Sequence, residues 1–264
     1  MTDWQQVVAS DFAVPQGVSV DRLVNELVEM LASPDPLVRD ELGFSTLVTW
    51  IERGQVPSAS LRPLGDEMAG RLADERIQAR TFAPLVLAVI VATRDVCEAR
   101  WLDAFEQWYV HERDVRGYDA HLGWLHAVAH GADLLGVLGR RPGVEPRRML
   151  DLALRRMLAP AEAVWHDQEH ERLALAVGQV LTREDLSEVD ATSWLDPAIA
   201  TVRPRGSGPV PPAVSNTVHT LRALALLVDR GVPVEPGQVV AVPHRETVRE
   251  QVAQVLGSAV PWLR

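Results

Sequence analysis

An all-α architecture is what this sequence predicts: an α-α solenoid of helix pairs, or an irregular array of about ten helices. Three observations carry that prediction. Apolar residues recur at three- and four-residue spacing along most of the chain, the connections are short and marked by Pro or Gly, and no stretch shows a convincing run of period-two strands. A hydrophobic fraction of 47% over 264 residues is ample for a packed core. The reading is one helical domain over residues 1–264.

The elements follow in order. Val20 to Leu31 sets apolar residues at 20, 23, 24, 27, 28 and 31 behind Ser19, a ready N-cap. Asp35-Pro36 opens the next helix with Pro at its first position, Leu37, Leu42, Leu47 and Ile51 inward, and Gly54 as the stop. Helices are then expected over 60–73, 82–97, 100–113, 120–138, 146–158, 169–181, 215–229 and 245–256. Trp101 and Trp108, seven residues apart on one face, read as core packing. The apolar piece Gln238–Val242 has no place in this scheme. Residues 196–212 hold five prolines with Gly206 and Gly208, which makes them a surface loop or a flap over a groove.

Composition excludes chemistry. All 26 basic residues are arginine, so lysine-dependent Schiff-base and pyridoxal-phosphate enzymes, P-loop phosphate clamps and kinases are ruled out. A net charge of −10 argues against a general nucleic-acid binder. The single Cys97 removes any intramolecular disulfide and any cysteine zinc cage, and its position after an apolar stretch reads as a buried small hydrophobe. The N-terminus lacks a signal-peptide pattern, and the apolar run Pro84 to Ala92 is far short of the roughly 20 residues a membrane span needs. A cytoplasmic protein with no membrane or nucleic-acid partner is the expectation.

The densest chemistry lies in the segment from His111 to Asp133. On a helical wheel His126, His130 and Asp133 fall within about 60° of one another, with Leu125, Val128, Leu134, Leu135 and Leu138 on the other side. Imidazoles at i and i+4 can reach one cation, so His126 and His130 are the candidate ligands of a divalent metal, with Asp133 as third ligand or orienting acceptor. Without metal, a histidine beside a carboxylate is a general base near neutral pH. With eight histidines in the chain the pair alone is a weak signal, and two packed core histidines are the plainer alternative. Asp114 and Arg116 precede Gly117 at a turn. They are either a surface ion pair or, in Arg116, a planar fork for an anionic group. Trp124 either walls a pocket or packs in the core, and core packing is the simpler reading.

The string Glu112-x-Asp114-x-Arg116-Gly117-Tyr118, then Gly123-Trp124-x-His126-x-x-x-His130-Gly131-Ala132-Asp133-Leu134, resembles the signature of the DUF2785 family of bacterial proteins of unknown function. Arg80-Thr81-Phe82, Glu169-His170-Glu171-Arg172-Leu173-Ala174 and Pro36-Leu-Val-Arg39-Asp40 fit the same pattern, so the resemblance spans about residues 33–180. Thr81 stands where the family has Ser, and His170 where it has an acidic residue. The resemblance implies a HEAT-like helical fold. It also implies one cleft gathering Arg80, Asp114, Arg116, Trp124, His126, His130, Asp133, Glu169 and Arg172.

Three functions fit these residues. In an enzyme, His126 or His130 acts as base or metal ligand, Asp133 and Asp114 assist, and Arg80, Arg116 or Arg172, with Trp124 and Glu169, hold a small polar or anionic substrate. In a non-catalytic module the same groups bind a small molecule or peptide. In a scaffold they form an internal network that locks helices together.

Overall fold

The computed structural model describes residues 2–203 and 208–260. These hold thirteen α-helices, one π-helical stretch and two two-stranded antiparallel hairpins. The chain forms two compact units, Met1–Trp108 with Arg116–Leu134 and Tyr109–Val115 with Leu135–Arg264.

The first unit begins with α1 (Trp4–Ala9), whose free N–H groups are met by the Asp3 carboxylate bonding Gln6 N. Helix α2 (Val20–Met30) buries Leu23, Val24, Leu27 and Val28, the predicted stripe. The expected helix after Pro36 is present but opens as a π-helix (Leu37–Phe44) before continuing as α3 (Ser45–Glu52). Gly43 allows close approach there, since a Cβ on it would lie 2.9 Å from Met30 Cβ. Gly54, at φ +72°, turns the chain out of α3 as expected.

Helices α4 (Ser58–Arg71) and α5 (Ile77–Arg94) pair with each other. Helix α5 starts five residues earlier than its apolar pattern and ends at Asp95 in the left-handed region, φ +55°. Cys97 therefore lies in the link before α6 (Ala99–His111) and is half-buried, which corrects the buried reading. Helix α5 is long and apolar enough to cross a membrane, yet 61% of it is buried in the protein, as a core helix would be. Trp101 and Trp108 are core residues, 2% and 7% exposed.

The helix expected over 120–138 is shorter. Tyr118–Asp119 (β1) and Gly123–Trp124 (β2) pair as a hairpin, and α7 (Ala127–Arg140) starts only after His126. The second unit carries α8 (Pro146–Leu158) and α9 (Glu169–Leu181), both within the predicted bounds. Short α10 (Glu188–Ser193) and α11 (Asp196–Thr201) follow, so the proline-rich stretch begins as helix; residues 204–207 of it lie outside the described residues. Helix α12 (Pro212–Arg230) packs along α9 and also meets α8 and α13 (Arg245–Ala259). The unplaced apolar piece is half of a hairpin, Val232–Glu235 (β3) with Gln238–Val240 (β4). In this unit Arg156, 1% exposed, donates through Nη1 to the carbonyls of Tyr109 (2.8 Å) and Glu112 (3.0 Å), satisfying the C-terminal end of α6.

Candidate functional site

The hairpin before α7 is set by local chemistry. Asp119 Oδ1 accepts from the backbone N–H groups of His121 (2.9 Å) and Leu122 (3.0 Å), and Asp119 Oδ2 pairs with Arg116 at 2.5 Å. Those two backbone donors, more than Arg116, hold the Asp119 carboxyl below its usual range. Gly123 sits at φ +70° with Pro36 Cγ 2.8 Å from where a Cβ would be, so a side chain there would be strained and would crowd Pro36. Leu125 N and His126 N then bond back to Gly117 O (2.8 Å) and Arg116 O (3.1 Å).

A buried arginine buttresses this turn from below. Arg39 is 0% exposed; it donates through Nη1 to Leu122 O (2.9 Å) and through Nη2 to Trp124 O (3.2 Å), with Nε on Asp40 (2.7 Å). Its guanidinium lies 5.0 Å from the centre of the Phe82 ring. Burial pushes the Asp40 carboxyl up, against the lowering effect of Arg39.

Above this buttress the rings form a continuous series. Tyr118 meets Trp124 edge to face at 4.9 Å, and Trp124 stacks on His126 at 4.4 Å with planes 3° apart. His126 lies 5.7 Å from His130, which meets Phe82 edge to face at 5.3 Å. The series runs from solvent to core: Tyr118 is 55% exposed, Trp124 44%, His130 8% and Phe82 3%. His130 Nδ1 is 2.9 Å from Thr81 O, an acceptor only, so Nδ1 carries a proton and donates to it.

His126 is not on a helical stripe with His130 as the spacing suggested. It precedes α7 in the left-handed region, φ +49°, at a backbone cost on the order of 1 kcal/mol. The two still fall one turn apart because His130 N bonds His126 O at 2.8 Å. Trp124, expected in the core, is exposed, because the hairpin carries it away from the helix it was expected to join.

Of the other predicted site residues in this unit, Asp133 is half-buried on α7 and Arg116 is exposed. Arg80, half-buried, donates to the carbonyls of Asp74 (2.8 Å) and Glu75 (2.9 Å) just before α5. Asp114, Glu169 and Arg172 belong to the second unit. There the Asp114 N–H bonds Glu112 Oε1 at 3.0 Å, Glu169 is buried and accepts from Asp167 N at 2.8 Å, and Arg172 is exposed. Among the described residues no group of three or more His, Cys, Asp or Glu is arranged to hold a metal, so an ion on His126 and His130 would have two protein ligands. Nothing in the spacing of the sequence marks Tyr118 or Phe82 for this series, since their partners are set by the hairpin and by α5 packing. Arg39 stands in the sequence only as part of a motif, because its partners are some eighty residues away.

No curated protein and no solved structure matches the chain. A family model described as a protein of unknown function matches residues 68–226, a span that holds the hairpin and both histidines, leaves out Pro36–Asp40 and runs past the proline-rich stretch. That span is more than half of the chain, which therefore belongs to the DUF2785 family.

Proposed function

We propose that this protein is a non-catalytic recognition module whose first unit binds a small-molecule or peptide ligand at the corner formed by Tyr118 and Trp124. The observation behind it is the pairing of exposure with rigidity. Two large aromatic rings are 55% and 44% exposed while the hairpin bearing them is pinned from beneath by a fully buried arginine. Exposed aromatics on a preordered backbone bind with little further loss of freedom, as in interface hot spots. Ring planes 69° apart form a corner suited to a proline, sugar or aryl ring, and Arg116 with Asp119 supplies a polar rim.

A titration of the indole N–H resonances with a proline-rich decapeptide, benzoate and maltose tests this reading. At least one probe is expected to move the Trp124 signal, identified through Trp124→Phe, and Trp124→Ala should weaken that binding tenfold or more at unchanged melting temperature. Silence with all three probes at millimolar concentration overturns it.

A second reading, histidine general-base chemistry, draws support from the His130–Thr81 bond, which fixes the orientation of the ring. Against it stand the 8% exposure of His130 and its enclosure by Phe82 and His126.

A further inference from the structure

In the second unit, His170 on α9 and His219 on α12 lie with ring centres 5.4 Å apart and planes tilted by 53°. Nε2 of His170 lies 2.9 Å from Glu171 Oε1. Two lone pairs would repel at that separation, so Nε2 carries the proton and Nδ1 keeps its lone pair. That Nδ1 is buried and has no hydrogen-bond partner among the described residues. A buried lone pair with no donor calls for a partner. A carboxylate behind the far nitrogen is the arrangement that fixes the tautomer of a metal-binding histidine and raises its basicity.

The other imidazole is equally suited. His219 lies half-buried on α12 beside His170. Two imidazoles on one tetrahedral ion, each with a metal–nitrogen bond of about 2.0–2.1 Å, place their ring centres roughly 5 Å apart. The observed spacing meets that requirement. Arg222 opposes a cation near His219, and Glu171 favours one.

We propose that His170 Nδ1 and His219 bind one borderline divalent transition-metal ion of the zinc or copper class, with water completing its coordination. No third protein ligand is arranged among the described residues, so the site is open and weaker than a closed four-ligand centre. The order of affinity follows the divalent series, copper tighter than zinc, with magnesium excluded by the nitrogen donors.

The test uses the full, untagged chain, stripped with a chelator and titrated with Zn²⁺ alone by calorimetry, and followed by imidazole ¹⁵N spectra. One equivalent is expected to bind and to move the Nδ1 resonance of His170. His170→Ala and His219→Ala should each weaken binding at least tenfold, Glu171→Gln should weaken it less, and His126→Ala should leave it unchanged. Both altered histidines are partly exposed, so these variants are expected to fold, which circular dichroism checks. Absence of binding, or binding that survives both substitutions, overturns the proposal. So does zinc that moves only the Nε2 resonance of His170.

Discussion

Arg39, with no exposed surface, donates from Nη2 to the backbone carbonyl of Trp124 at 3.2 Å, across 85 residues of sequence. A buried cation is costly unless its donors are used, and here they bond the carbonyls of Ser33, Leu122 and Trp124 and the carboxylate of Asp40. Arg39→Met keeps the bulk but strands those acceptors. We expect a loss of about 3 kcal/mol, read as a lower urea midpoint, and loosening of the hairpin, read as weaker dispersion of the Trp124 indole signal. An unchanged midpoint would show that the arginine is not what holds the turn.

Gly65 on α4 is where the first unit leaves no room. A Cβ there would lie 2.2 Å from Cζ2 of Trp101, whose indole N–H bonds Asp66 Oδ1 at 2.7 Å. Alanine is the better helix former by up to about 1 kcal/mol, but displacing a buried indole costs about 1–3 kcal/mol. Gly65→Ala should therefore lower the melting temperature; a rise would mean that the indole moves freely.

Acid should weaken one loop selectively. A side-chain hydrogen bond from Arg76, aided by the Arg76 backbone N–H, holds the Asp74 carboxyl at about 2, against an ordinary 3.8. The unfolded chain takes up this proton at higher pH than the folded one, so the contribution is complete above about pH 4 and drains as pH falls to 2. With Arg76 half exposed, solvent screening leaves it worth about 1 kcal/mol. In urea titrations Asp74→Asn should be less stable than the parent at pH 6, and the gap should close near pH 2.

Arg156 poses the same problem as Arg39 in the second unit. Burial pushes its guanidinium pKa down, and Nη1 donates to the carbonyls of Tyr109 and Glu112. Arg156→Met should destabilise by about 1–3 kcal/mol, because two helix-end carbonyls lose their donor. Thermal unfolding followed by circular dichroism measures it, and an unchanged transition would mean that water replaces the arginine.

Near neutrality, His219 sets a second pH dependence. Its folded pKa lies below the ordinary 6.5, so protonation favours the unfolded chain and stability falls as pH drops through that value. His219→Gln should flatten the stability profile between pH 7 and 5; a profile that keeps its slope would assign it to another group.

Much of this was legible from residue spacing. Helices α8 and α9 fall within their predicted bounds, and α2 within a residue of its own, because an apolar stripe is a local pattern repeated several times over. The hairpin was not legible. Residues 120–126 read as the start of a helix because His126 and His130 have helical spacing, while Gly123 and the Asp119 turn end that register one step earlier. A four-residue separation is met equally well by a helix and by a capping residue one turn ahead of it, so the spacing marks the pair and leaves its setting open.

By itself the sequence determined the all-α class, most helix bounds, the closeness of His126 to His130 and the exclusion of lysine chemistry. Only the tertiary structure decided that Trp124 faces solvent, that His130 is tied to Thr81, and that Arg39 carries the turn. The physical reason is range. Helix periodicity is written within a dozen neighbouring residues, whereas exposure and tautomer depend on partners 49 to 85 positions away, which spacing along the chain does not encode.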